Sequence, residues 1–225
     1  MNNQIIKLDF VNVFLIRVQD GFILIDTGMH QAWEKLEEEL RSNGCTPNKL
    51  KLVILTHGDF DHTGNCAQLQ EKYRVKIAMH QADAFMAENG TRIKLNVKTL
   101  FGGGILFLLK RLHGNTTFLA FKPDILLAGG ESLEQYGFNA KIIHIPGHTK
   151  GSIGILSADG DLFVGDTLIN LKKPAIGKYI ESKEDLKNSL CKLNKLDIKN
   201  IYPGHGNPFL KKSFFRNKRT GFIKE

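Results

Sequence analysis

A chain of 225 residues, 42% hydrophobic and 24% charged, has enough apolar surface for one domain with a large core and hardly for two. Three scattered cysteines, Cys45, Cys66 and Cys191, suggest no disulfide framework and point to a reducing, cytoplasmic home. The formal charge of +8 leaves an anionic substrate, a nucleic acid or a membrane surface open as attractors.

In chain order, the N-terminal residues lack the basic head, apolar middle and cleavage site of a signal peptide. Residues 5–25 read as two or three short strands, broken at Asn12 and at the hairpin turn Gln19-Asp20-Gly21. Residues 31–43 read as an amphipathic helix with Trp33, Leu36 and Leu40 on one face, and Gly44 is placed to end it. A buried strand at 51–55 follows, then a polar loop, a helix at 64–72, a strand at 75–79 and a helix at about 81–87. The second half holds strands at 125–127, 131–134, 140–145, 152–157 and 161–165, a helix at 183–194 opened by Ser182, and a strand at 199–202.

Between the halves, residues 88–124 combine Gly102-Gly103-Gly104 with the apolar run Ile105 to Leu109. That run is too short to span a bilayer. It reads either as a lid over a substrate with an apolar part or as a helix completing the core or a homodimer interface. A basic tail at 211–225 carries Lys211, Lys212, Arg216, Lys218 and Arg219. It reads as a solvated terminus, with no clear nucleic-acid platform beside it.

The polar loop after strand 51–55 is Thr56-His57-Gly58-Asp59-Phe60-Asp61-His62. Imidazoles and carboxylates at this density suit a divalent metal. The pattern of short strand, tight glycine turn and His or Asp returns at Pro146-Gly147-His148, Val164-Gly165-Asp166 and Pro203-Gly204-His205. Glycine permits such sharp turns and close backbone approach. Seven candidate ligands thus leave four strand ends.

In these motifs the chain resembles the metallo-β-lactamase-fold hydrolases, whose hallmark is T-H-x-H-x-D-H followed by a His, a bridging Asp and a last His. The resemblance runs from about residue 8 to about residue 210 and includes Asp26-Thr27-Gly28, which in the family supports the metal site. It implies an α/β fold, a four-layer αββα sandwich, and two divalent metal ions. By that carry-over His57, Asp59 and His148 hold the first metal, Asp61, His62 and His205 hold the second, and Asp166 bridges them. One position departs: Asp59 stands where the family usually has His, although the flavo-diiron branch has a carboxylate there. Zinc is the first expectation, with iron or manganese at the position containing Asp59, since a carboxylate is a harder ligand than imidazole.

The resemblance implies a hydrolase of glyoxalase II-like type. It would cleave a small-molecule ester, thioester, lactone or related bond through hydroxide generated at the metals, with Asp61 orienting the water. The lactonase branch has a Tyr just past the bridging Asp, where this chain has Thr167-Leu168-Ile169. Lys172, Lys178 and Tyr179 follow in the region that often binds the polar part of a substrate. A phosphodiesterase or nuclease of the same fold, and a non-haem di-iron redox or sensing protein, stay open as alternatives. Of the other histidines, His30 could reach the pocket rim, His80 and His113 read as surface residues, and His144 as structural.

Overall fold

The computed structural model describes residues 3–90 and 118–215. The first sheet begins with strands β1 (Asn3–Leu8), β2 (Val11–Val18) and β3 (Gly21–Ile25), paired as antiparallel neighbours. It continues in parallel through β4 (Leu50–Ile54), β5 (Ile77–His80) and β6 (Ile125–Leu127). In the second sheet β7 (Ala140–His144), β8 (Ile153–Ser157) and β9 (Asp161–Gly165) are antiparallel. A small ribbon of β10 (Leu168–Ile169) and β11 (Ala175–Ile176) follows. Strand β12 (Asn200–Pro203) then lies parallel to β9, and β13 (Phe209–Leu210) forms the edge.

Alternation along the strands explains the layering. In β2, Val13 and Leu15 face an outer core with Leu36 and Leu40 of helix α1 (Trp33–Ser42). Their neighbours Phe14 and Ile16 face an inner core shared with Ile142, Ile153, Ile155 and Phe163 of the second sheet. A side-chain period of two lets one strand feed both cores. The far side of the second sheet packs Ile145, Leu162, Val164 and Ile201 against Leu186, Leu190 and Leu193. Three apolar seams between two sheets and two sets of helices make the four-layer αββα sandwich.

Five further helices follow α1 among the described residues. Helix α2 (Phe60–Thr63) is a single turn, and α3 (Cys66–Tyr73) follows it closely. A 3-10 turn (Gln81–Asp83) leads into α4 (Ala84–Asn89). Helix α5 (Lys183–Lys195) starts at Ser182, whose hydroxyl accepts the Asp185 amide, and α6 (Lys211–Phe215) buries Phe214.

Several expectations need correction. Asn12 does not break a strand; it lies inside β2, and the turn falls at Asp9-Phe10. Its buried amide nitrogen instead donates to the carbonyls of Pro203 (2.9 Å) and Gly206 (2.6 Å), and its backbone N–H to Gly204 (2.7 Å). The expected strand at 131–134 is a single bridge, Ser132 to Lys141, followed by a 3-10 turn (Glu134–Tyr136). The helix expected at 64–72 is α3, and a separate single turn, α2, makes part of the polar loop before it helical. Most of the 88–124 segment and residues 216–225 of the basic tail lie outside the described residues. Phe118 and Phe121, at the end of that segment, are buried in the outer core. Among the described residues no helix is long and apolar enough to cross a membrane.

Two stitches close the sandwich at one end. Ile153 of β8 donates to the carbonyl of Thr56, just beyond β4. Asn12 ties β2 to the turn beyond β12. Replacing Asn12 with Ala would strip donors from buried carbonyls, and an unsatisfied buried group costs about 1–3 kcal/mol. Urea denaturation of Asn12→Ala is expected to register a loss of that size, and an unchanged midpoint would contradict the stitch.

Candidate metal centre

The site forms where strand ends meet. Strands β3 and β4 are parallel with Ile25 opposite Ile54, so Asp26 and the Thr56-His57 loop emerge side by side. Strands β9 and β12 are parallel with Gly165 opposite Pro203, which brings out Asp166 and His205 together. His148 follows β7 through the turn at Gly147. Glycine is required beside His205, because a Cβ on Gly204 would fall 2.6 Å from both Asp166 Oδ1 and His62 Cε1.

Asp59 precedes helix α2, where an aspartate ordinarily caps the helix with its carboxylate. Here the backbone carbonyl does that work, accepting the amides of His62 and Thr63 and the Thr63 hydroxyl. The carboxylate is directed elsewhere: Oδ2 lies 3.4 Å from His57 Nε2 and 3.1 Å from His148 Nε2. Asp61 and His62 sit on α2 and meet His205. His205 Nε2 is 3.4 Å from Asp61 Oδ2 and 3.1 Å from Asp166 Oδ2, and His62 Nε2 is 3.3 Å from Asp166 Oδ1.

The structure therefore brings all seven candidate ligands together. His57, Asp59 and His148 form one set that could hold a metal ion, and Asp61, His62 and His205 form a second. His57, His62 and Asp166 form a third that joins the two. Each of the first two sets has two imidazoles and one carboxylate, so Asp59 makes the halves alike in donor type.

All four imidazoles are held through Nδ1. His57 meets the Thr56 hydroxyl (2.9 Å) and His62 meets Asp26 (2.8 Å). His148 donates to the Lys178 carbonyl (2.9 Å), and His205 to the Phe10 carbonyl (2.8 Å). This leaves Nε2 of each ring turned inward, as a metal ligand requires. Asp26 adopts a left-handed backbone (φ 61°) and is fully buried, and it also accepts the amide and hydroxyl of Thr56. Strain of this kind persists where the surroundings over-determine it.

The donor set fits divalent ions by its unmet valence. His57 Nε2, His62 Nε2 and Asp166 Oδ1 are buried and make no hydrogen bond. A buried polar atom without a partner is costly, and inward-facing lone pairs at one point are what a cation satisfies. Without metal the charges shift each other instead. Burial works against ionising Asp166, but His62 and His205 hold its carboxyl well below the usual range. Burial likewise opposes protonation of His62, yet Asp26, Asp61 and Asp166 hold its pKa well above the ordinary value. For His205, burial lowers the pKa, and hydrogen bonds to Asp166 and Asp61 outweigh it, pushing it up to about 9.

Other expected site residues fall outside this cluster. Lys172, Lys178 and Tyr179 have exposed side chains, and it is the Lys178 carbonyl that meets His148. His30 is exposed beside Gln68. His80 is not a surface residue: it is buried and stacks on His144, with ring centroids 4.0 Å apart. His113 lies outside the described residues. Sequence reasoning missed Thr56 as the partner of His57, and missed the Phe10 and Lys178 carbonyls, which no residue type announces.

Comparison with known proteins agrees with this architecture. The Metallo-beta-lactamase superfamily pattern matches residues 6–205. The chain is 32% identical over 164 residues to the hydroxyacylglutathione hydrolase GloC of Haemophilus influenzae, covering 70% of this chain and 69% of that protein. It is 25% identical over 223 residues to the acyl-coenzyme A thioesterase MBLAC2 of Homo sapiens, covering 91% of this chain and 76% of that one. The solved structure of BLEG-1, a B3 metallo-beta-lactamase, shares the fold with a TM-score of 0.76 at 21% identity, over 96% of this chain and 98% of that one.

The raised His205 pKa means that the folded, metal-free protein binds that proton more tightly than the unfolded chain. Its contribution to stability is fully present below about pH 6.5, the ordinary value, and is lost as the pH rises through about 9. Chelator-treated protein is therefore expected to lose stability across that window. Metal affinity should rise across it, because ligation displaces the protons. Urea denaturation with and without chelator at both pH values checks this, and a flat profile for the chelated protein would contradict a protonated cluster.

Proposed function

This chain belongs to the metallo-β-lactamase superfamily and is a metal-dependent hydrolase, and from that premise we propose that it is a dinuclear enzyme cleaving small acyl thioesters. The observation that carries the reading is the pair of two-imidazole, one-carboxylate sets joined through Asp166, with buried Nε2 atoms facing the centre. In this assignment His57, Asp59 and His148 hold one ion, Asp61, His62 and His205 the other, and Asp166 both. Two divalent cations at these positions would acidify a water and polarise the acyl carbonyl.

The protein's own groups supply orientation and proton handling. The Asp61 side chain is 11% exposed and that of Asp59 is 3% exposed, so Asp61 is the carboxylate that a solvent water reaches. Burial would raise its pKa, but the charge of His62 and the hydrogen bond from His205 lower it. An ionised Asp61 accepts a hydrogen bond from the attacking water and can take its proton. Asp26 keeps the His62 ring fixed through Nδ1, so that its Nε2 stays aimed at the centre.

The thioester class is supported by GloC, a hydroxyacylglutathione hydrolase, and by MBLAC2, an acyl-coenzyme A thioesterase. The surroundings suit an acyl group on an anionic carrier. Phe10, beside His205, and Leu171 are exposed apolar residues, at 53% and 59%. Lys172, Lys173 and Lys178 offer exposed cations in the segment that follows Asp166, and the Lys178 carbonyl accepts from His148. With Asp59 each half offers two imidazoles and one carboxylate, a harder set than three imidazoles, which favours iron or manganese relative to zinc at the centre.

Elemental analysis of protein purified without added metal is expected to find about two ions per chain, with iron or manganese among them. About one ion would require a mononuclear mechanism. Asp61→Asn is expected to lower kcat/KM on acylglutathione and acyl-coenzyme A thioesters by about 10²–10⁴-fold, the usual worth of a positioned proton acceptor, and His62→Ala to lower it by removing an imidazole from one candidate metal set. Circular dichroism would verify that both variants fold. Wild-type turnover by either variant would sink the assignment.

A further inference from the structure

Besides Asp26, a second buried carboxylate near the centre belongs to none of the candidate metal sets. Asp83 is 2% exposed and ends the 3-10 turn before α4. Like Asp59, it stands at the start of a helix without capping it through its side chain. Its two oxygens instead reach two separate loops. Oδ2 accepts the Gly58 amide (2.9 Å) and the Thr149 hydroxyl (2.7 Å), and Oδ1 accepts the Gly151 amide (2.7 Å).

Those donors flank one half of the centre. Gly58 lies between His57 and Asp59, and Thr149 directly follows His148. The fit is close as well as polar: a Cβ on Gly151 would come within 2.5 Å of the Asp83 carboxyl carbon, and one on Gly58 within 3.2 Å of its Cβ. Both loops thus keep a glycine where Asp83 is seated. Thr149 is itself fixed by Ser152, hydroxyl to hydroxyl at 2.8 Å. The other half has a separate buried carboxylate, Asp26, which holds His62 and Thr56.

We propose that Asp83 is a positioning residue that holds the His57–Asp59 loop against the His148 loop, so that metal occupancy of this half alone depends on it. The inference rests on the dinuclear reading. The two loops come from different sheets, His57 and Asp59 after β4 and His148 after β7. Three hydrogen bonds to one rigidly buried carboxylate fix their separation, and with it the distance from His57 and Asp59 to His148. Outer partners of metal ligands typically govern affinity by about 10- to 100-fold.

The test is stepwise titration of chelated protein with Zn²⁺ and with Mn²⁺, followed by elemental analysis after dialysis. Asp83→Asn places an N–H against at least one of three donors. It is expected to leave one binding step unchanged, weaken the other by about 10- to 100-fold, and reduce retained metal from two ions to one. Thr149→Val removes one of the three bonds and should weaken the same step less, while Thr149→Ser restores it. This pair decides the matter if Asp83→Asn does not fold. Equal weakening of both steps, or two ions bound with wild-type affinity, would overturn the inference and leave the dinuclear reading standing. Wild-type protein that binds fewer than two ions would remove both.

Discussion

Four imidazoles in one buried space can serve a cation only if each is prevented from rotating and from turning its lone pair away. Here Nδ1 of every ring is already engaged: by the Thr56 hydroxyl, by Asp26, and by the carbonyls of Lys178 and Phe10. Those four contacts leave the Nε2 atoms no other direction than the centre. Much of the rest of the molecule can be understood as the support for them. The left-handed turn at Asp26, the stitch from Asn12 and the first hairpin all lie behind a histidine.

The sheets provide the coarse placement. Parallel pairing of β3 with β4, and of β9 with β12, sends the acidic and imidazole-bearing turns out of the same end. Apolar seams on both faces of each sheet hold those ends rigid, because close-packed interiors transmit displacement instead of absorbing it. Fine placement is then left to short polar contacts. The division matters chemically, since ligand positions must hold to within a fraction of an ångström for proton and electrostatic work.

The sequence made the candidate ligands legible because chemistry and spacing coincide at them. His57 to His62 is dense enough to stand out, and His148, Asp166 and His205 each follow an apolar run and a glycine. In the structure these side chains meet in three overlapping sets that could hold a metal ion. What escaped was whatever depends on partners distant in the chain. Asn12 reads as a break in an apolar strand, yet its amide is matched to two carbonyls about 190 residues away, a pairing that no local pattern encodes. His80 reads as a surface residue, but it ends β5 and stacks on His144 at the end of β7. Helix α2 is one turn long, and Gly64 after it resembles a boundary more than a continuation. Asp83 looks like an ordinary polar residue, and the carbonyls of Phe10 and Lys178 have no side-chain identity at all.

The two candidate sets share a feature of origin. His57 and Asp59 leave the first sheet and His148 the second; Asp61 and His62 leave the first sheet and His205 the second. An ion bound by either set would span the seam between the sheets, in the way a covalent cross-link joins two parts of a chain. Slippage of one sheet over the other would have to break coordination bonds at both positions together. Loading such a centre would thus clamp the sandwich at the end where its chemistry takes place, and leave the opposite end to be held by apolar packing.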